Sequence, residues 1–472
     1  MTLPRDDGGG FDLAVIGAGS AGFSAALTAA DQGARVALIG HGTIGGTCVN
    51  VGCVPSKTMI RAAEAVRGAR AASRFPGLIG DARIADWPRL VGAKDALVDA
   101  MRERKYIRLL ADREDVTYLP GRARFEAPCL TVGGVPVQAD RIVIATGAAA
   151  TLPSIPGIRD IPVLDSTAAL ELEELPASLL VIGGGYIGCE LAQLFARAGV
   201  AVTLVTRSRL LPAAEPEISA ALTGHLRDEG IAVHSGLTYR GIVRSGEGGE
   251  LTMLADGVET KVIAERVLAT AGRAPNTAGL GLSEAGIARS ADGAIVVDER
   301  MRTSMPGVYA AGDVTGRDQF VYMAAYGARL AALNALNGDT LVYDNRAMPW
   351  VVFTDPQVAG VGLSEAAARS AGHEVRTSTI SLDQVPRALV ARDTRGLIKL
   401  VTDARSDRLL GGQILAPEGA DSIQTLALAL THGMTAKALG ATIFPYLTTV
   451  EGLKLAAQAF EKDVAMLSCC AG

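Results

Sequence analysis

Over 472 residues, 45 Lys+Arg against 50 Asp+Glu give a formal charge of −5, which disfavours a nucleic-acid or anionic-membrane partner. Fifty-five glycines, 49% hydrophobic residues and only 4% aromatics exclude disorder and a collagen-like chain and point to an α/β protein. The length predicts about three domains and a core that needs no staples, while six cysteines are too few for a disulfide framework.

The start, MTLPRDDGGG, puts acidic residues where a signal peptide needs basic ones, so a cytoplasmic, reducing compartment is expected. Residues 13–30 carry no charge, which reaches the lower limit of a membrane span. Gly17, Gly19 and Gly22, with Ser20, Ser24 and Thr28, make a buried strand–turn–helix unit the better reading. The spacing predicts a strand over 12–17, a helix closed by Gly33 and a strand over 34–40, a βαβ unit. Gly17-x-Gly19-x-x-Gly22 offers backbone N–H groups and a helix N-terminus to a pyrophosphate. The acidic residue that ordinarily ends the second strand and holds an adenosine ribose is missing; Gly40 and His41 stand there.

GGTCVNVGCVPSK (45–57) follows, with Cys48 and Cys53 five positions apart. On a regular helix that spacing is about 7.5 Å of rise alone. A disulfide closes only below a Cα separation of roughly 7 Å. Pairing therefore requires a local irregularity, which Gly52 and Pro55 make available. A helix start just after a glycine turn lowers a thiol pKa. Two structural cysteines and a metal-binding pair are the competing readings.

Strands in RIVIATG (141–147) and RVLATAG (266–272) close two lobes, and Pro153, Pro156 and Gly157 mark a crossing between them. The second lobe opens with a strand from 179, and Gly183-x-Gly185-x-x-Gly188 repeats the first turn 166 residues later. Its second strand runs into Thr206-Arg207-Ser208-Arg209. Two guanidinium groups there suit a 2′-phosphate, so NADPH is expected over NADH, with a solvated basic loop as the alternative. From about 276 the chain re-enters the first lobe through GVYAAGD (307–313). Beyond 343, FTDPQVAGVG, SLDQVPRAL and LIKLVTDARSDRLLGGQIL read as antiparallel strands before a helical SIQTLALALTHGM, a third, α+β domain. The expected blocks are 1–150, 151–275, 276–345 and 346–472, the first and third belonging to one lobe. Cys129 and Cys189 carry no motif; Cys469 and Cys470, adjacent near the C-terminus, form a competent soft-metal chelate.

Together GGTCVNVGCVPSK, GRAPNT (272–277) and TSMPGVYAAGD (303–313) resemble the motifs of the flavin-dependent pyridine nucleotide–disulfide oxidoreductases, from Phe11 to the end of the chain. That resemblance implies two Rossmann-like lobes, binding FAD and NADPH, and a C-terminal domain that forms a homodimer. Each active site would combine both subunits. Disulfide-reducing members carry a His five residues before a Glu near the C-terminus; here Tyr446 and Glu451 hold those places, and no histidine lies beyond His432. A thiol leaving group needs a proton, whereas a metal ion accepting electrons needs delivery and release. With its LSCCAG tail the chain is similar to the members that reduce Hg(II).

By resemblance, Cys53 is the flavin-facing thiolate and Cys48 the exchanging thiol of a redox disulfide, and Lys57 lies near the flavin, paired with Glu190. Gly17, Gly19, Gly22, Gly42, Thr47, Ala123, Thr146, Gly147, Asp313 and the backbone near Val321 would serve FAD. Gly183, Gly185, Gly188, Arg207, Arg209 and Gly272 would serve the nucleotides too, with Tyr186 covering the nicotinamide pocket. Tyr446 would lie near the metal in transit, and Cys469 and Cys470 of the partner subunit would capture Hg(II). Thiol complexes of Hg(II), an organomercurial lyase or mercury transport proteins would be the donors. Some relatives have a tyrosine where PVLDST offers Val163, and many carry an N-terminal GMTCxxC module that this chain is expected to lack. A disulfide reductase and a mercury-binding flavoprotein without turnover are the alternatives.

Overall fold

The structure, a computed structural model, describes residues 10–126 and 129–463. They divide into two compact units. One comprises the chain up to Thr58 with Pro88–Thr151 and Gly272–Asp344; the other comprises Met59–Trp87, Leu152–Ala271 and the chain from Asn345.

At the centre of the first unit lies a parallel sheet. Its strands run in the order Val308–Ala310, Ala139–Ile144, Phe11–Ile16, Val36–Gly40, Val116–Pro120. The central strand is apolar on both faces because both are covered. Period-two alternation sends Leu13 and Val15 to one side and Ala14 and Ile16 to the other. The first side packs against the helices Ser20–Ala30 and Val321–Asn337, whose alanine-rich faces meet closely enough for the Ser24 hydroxyl to donate to the Ala325 carbonyl at 2.8 Å. The second is covered by Ala123, Phe125, Leu130 and Val132 from an antiparallel meander of Ala123–Glu126, Cys129–Val132 and Val135–Val137.

The second unit holds a four-stranded parallel sheet in the order Ala232–His234, Ala201–Val205, Ser178–Ile182, Arg266–Ala269, with the helix Tyr186–Arg197 following the third. A meander of Thr238–Ser245, Gly248–Ala255 and Val258–Ala264 packs its apolar side onto that sheet. The same unit contains an antiparallel sheet ordered Pro349–Val352, Gln357–Gly362, Leu409–Ala416, Leu397–Asp403, Val375–Ser381. The helices Gly419–Thr431 and Glu451–Gln458 share its apolar core.

Three local differences from the sequence reading have physical causes. SLDQVPRAL is a strand only at Ser381; a 3-10 turn, Leu382–Gln384, and a helix, Pro386–Ala391, follow. Pro386 opens that helix, where its fixed φ is preorganised and its missing N–H costs nothing. Both three-stranded meanders escaped the reading, since short half-buried hairpins carry a weak periodic signal. Residues 59–87, inside the first expected block, cluster with the second unit: the Trp87 indole donates to the Leu172 carbonyl at 2.7 Å and its ring lies 6.0 Å from that of Phe195.

Candidate active site

The cysteine loop is built by an interruption. The helix Gly46–Asn50 stops as Val51 turns to φ −138°, and a second helix, Cys53–Arg70, begins with Cys53 itself. Gly52 allows the break, for a Cβ there would stand 2.9 Å from the Thr47 carbonyl oxygen. Asn50, within the cysteine motif but given no role by it, pins the loop by donating to the carbonyls of Ile44 and Gly46 at 2.8 and 2.9 Å. Arg102 donates in turn to the Asn50 side-chain oxygen at 3.1 Å. The irregularity that close approach requires is therefore present.

Cys48 and Cys53 are half-buried thiols hydrogen-bonded to each other. The Cys48 thiol is held well above its ordinary pKa, first by its hydrogen bond with Cys53, then by burial and by the charge on Cys53, against a smaller pull from Lys57. The proton stays on Cys48 because its neighbour is the better place for negative charge: Cys53 is the first residue of an 18-residue helix, at the positive end of its dipole. Lys57 is half-buried one turn further on. Cys189 is fully buried and its thiol is pushed up by that burial, while Cys129 is exposed.

In the same unit, the helix Ser20–Ala30 starts at Gly19 without a side-chain cap and without an acidic residue in its first turn. A Cβ on Gly22 would fall 1.6 Å from the Gly17 carbonyl oxygen, so the turn closes only with glycine. The free amides and absent side chains fit a pyrophosphate. Around them, the Thr146 hydroxyl donates to the Asn276 carbonyl at 2.8 Å, and the Asn276 amides donate back to Thr146 and Gly147 at 3.0 and 2.9 Å. The GRAPNT turn is thereby clamped to the end of the strand Ala139–Ile144. Burial raises the Asp313 carboxyl while Arg273, 3.9 Å away, pulls it down. Arg273 also donates to the Ala148 carbonyl and is a residue the motif reading passed over. Val321 is the first residue of its helix, Ala123 is buried in the meander, and Gly42 and Thr47 are exposed. Gly272 belongs to this unit, its carbonyl accepting from Thr151 N–H at 3.1 Å.

The second turn repeats the first. A Cβ on Gly188 would lie 1.9 Å from the Gly183 carbonyl oxygen, nothing lies within 4 Å of one on Gly185, and the helix Tyr186–Arg197 again has no side-chain cap. This cradle fits a second dinucleotide. Tyr186 opens that helix and stacks on Trp350, ring centroids 5.7 Å apart and planes 19° from parallel, and burial pushes its phenol up to about 12. Glu190 is buried, its carboxylate accepting from the Phe353 N–H at 2.8 Å. The two arginines differ. One amino group of Arg209 donates to the carbonyls of Pro212 and Ala214 at 2.8 and 2.7 Å, whereas exposed Arg207 exerts a smaller downward pull on the Tyr239 phenol, which burial raises to about 12.

Tyr446 is 47% exposed. Glu451 is buried and its carboxylate accepts from the N–H of Leu447, a residue held at φ +62°. Cys469 and Cys470 lie outside the described residues. Among the described residues, no helix is long and apolar enough to cross a membrane.

The family model for pyridine nucleotide-disulphide oxidoreductases matches residues 11–332, and that for their dimerisation domain matches 348–457. A mercuric reductase of Streptomyces lividans is 47% identical over 469 residues, spanning 98% of this chain and 99% of that protein. One from Staphylococcus aureus is 44% identical, over 98% of this chain and 85% of its own length. Among solved structures, a Cu(II) complex of the HOCl-induced flavoprotein disulfide reductase RclA from Escherichia coli superposes with a TM-score of 0.83 at 32% identity, covering 96% of this chain and 100% of that one. LpdA from Mycobacterium tuberculosis gives 0.83 at 27% identity, over 95% and 99%.

Proposed function

Because the chain belongs to the pyridine nucleotide–disulphide oxidoreductase family, we propose that it is a flavoenzyme that uses NADPH to reduce Hg(II) to volatile Hg(0). The carrying observation is the hydrogen-bonded Cys48–Cys53 pair, in one unit with an uncapped glycine turn, in a chain 42–47% identical to mercuric reductases. When bound, NADPH supplies the hydride and FAD relays the two electrons that convert Hg(II) to the neutral atom.

The protein's own groups bind, hand over and release the ion. Cys469 and Cys470 of the partner subunit take Hg(II) from its thiol complexes as a linear bis-thiolate. Thiolate exchange passes it to Cys48 and then Cys53, so the ion is never free. As its sulfur binds the metal, Cys48 passes its proton to the tail thiolate it displaces; Cys53 presents its sulfur at a helix N-terminus that favours the anion. Lys57, one helical turn from Cys53, adds a positive charge to the same locality. Tyr446 takes the place of the histidine that a thiol leaving group would require. Gly183, Gly185 and Gly188 seat the NADPH pyrophosphate and Arg207 its 2′-phosphate. The working form is a homodimer of cytoplasmic enzyme, with an organomercurial lyase or mercury transport proteins as donors.

The test is NADPH oxidation with and without Hg(II) under excess small thiol, following loss of volatile mercury. Continued turnover that depends on Hg(II) and releases mercury vapour is expected. Turnover with oxidised glutathione or lipoamide in its place makes the chain a disulfide reductase, and a single stoichiometric oxidation makes it a binder.

A further inference from the structure

The strand Val36–Gly40 ends without the carboxylate that a dinucleotide-binding strand ordinarily offers to the adenosine ribose. Its surroundings explain why position 40 carries no side chain. A Cβ on Gly40 would lie 2.7 Å from Ala18 Cβ, 3.1 Å from the Tyr118 hydroxyl oxygen and 3.3 Å from its ring carbon Cε2. The phenol of Tyr118 thus occupies the root of the missing side chain. Tyr118 comes from the neighbouring strand Val116–Pro120, whose parallel register sets it beside Leu38. From there its hydroxyl reaches two residues along and donates to the Gly40 carbonyl at 3.3 Å.

A hydroxyl has one proton and two lone pairs. With the proton directed at Gly40, the lone pairs are left to accept, which is what a carboxylate does for a sugar hydroxyl. Tyr118 is half-buried, so its oxygen is fixed by packing without being sealed from a ligand. His41, the next residue, is exposed.

We propose that Tyr118 is the ribose-binding residue of the first lobe, accepting a hydrogen bond from an adenosine ribose hydroxyl of FAD in place of a carboxylate at position 40. The proposal rests on reading that lobe as the FAD site. It also makes Gly40 and Tyr118 a matched pair: the glycine is there because the phenol fills its space.

The test compares FAD with an analogue whose adenosine ribose lacks both hydroxyls, loaded into the unaltered protein and into Tyr118→Phe. Dissociation of flavin from the holoprotein is followed by recovery of flavin fluorescence. One hydrogen bond of ordinary strength predicts that the preference for FAD over the analogue falls roughly 3- to 10-fold in Tyr118→Phe. Phenylalanine keeps the ring that packs against Gly40, and flavin stoichiometry and melting temperature confirm that the variant is folded. An undiminished preference overturns the proposal. So does an equal loss of affinity for both flavins, which would give the hydroxyl a structural role through Gly40 only. A preference lost in His41→Ala and kept in Tyr118→Phe moves the contact to His41. If the unaltered protein takes up neither flavin, the FAD reading of the lobe fails and the proposal with it.

Discussion

Two cysteines of one loop carry opposite duties because their backbones differ. Cys48 lies inside a five-residue helix and keeps its proton, which it directs toward Cys53. Cys53 starts a longer helix, where the dipole favours negative sulfur. In the reduced enzyme, Cys53→Ser is therefore expected to abolish the long-wavelength thiolate–flavin absorbance, and Cys48→Ser to retain it. A band that survives in Cys53→Ser reverses the two assignments. Arg207 and Arg209 illustrate the same rule, since adjacent residues of one type are separated by what their hydrogen bonds already hold. Arg209 is committed to two carbonyls of its own loop, which is why the proposed grip on a 2′-phosphate is assigned to Arg207.

Each glycine turn is an element-scale device, a strand handed to a helix so tightly that backbone oxygen fills the space of a side chain. At Gly188 a methyl group would meet the Gly183 carbonyl oxygen at 1.9 Å, and also the Thr270 hydroxyl at 2.7 Å. Gly188→Ala must push the helix Tyr186–Arg197 off the strand Ser178–Ile182 and spoil the amide cradle. The two turns belong to separate units, so the variant is expected to purify yellow, with full flavin, while its KM for NADPH rises roughly tenfold or more. Flavin loss in this variant would mean that the turns are not independent. The stack of Tyr186 on Trp350 belongs to this scale as well. Gly360, on the paired strand, leaves room for the indole, since a Cβ there would stand 2.4 Å from its ring.

At the scale of the molecule, the second unit joins a nucleotide-type sheet and an antiparallel sheet through buried charge. Lys399, 2% exposed on the strand Leu397–Asp403, donates to Glu215, Glu217 and Glu365 at 3.1, 2.9 and 2.9 Å. Lys399→Met removes the cation shared by three carboxylates; Glu365 keeps Arg369, but buried Glu215 is left with only the Glu365 N–H, so a loss of about 3–5 kcal/mol is expected in denaturant unfolding. The pH dependence has a definite sign. Glu365 is held below its ordinary value of 4.5 first by Lys399 and then by Arg369, and Glu217 is held below it, against burial, by a backbone N–H and then by Lys399. Their contribution is full above that value and disappears as pH falls through the lowered ones, so the gap between the two proteins should narrow below about pH 4.5. A gap that stays constant into acid would show that the loss comes from packing instead of charge.

Local pattern sufficed for the βαβ units, the two glycine turns, the paired cysteines and the unusual Tyr446, because each rests on neighbours within a few residues. The continuous apolar runs here are parallel strands, and each glycine triplet joins one of them to a helix. Which arginine is tied to its own loop, why SLDQVPRAL coils at Pro386 and which phenol fills the space beside Gly40 were decided by the tertiary structure. Those outcomes depend on partners distant in sequence, as Tyr118 is 78 positions from Gly40 and Arg102 is 52 from Asn50. Spacing along a chain records hydrogen-bond distance only within a helical turn or a tight loop; beyond that, sheet register and packing set it.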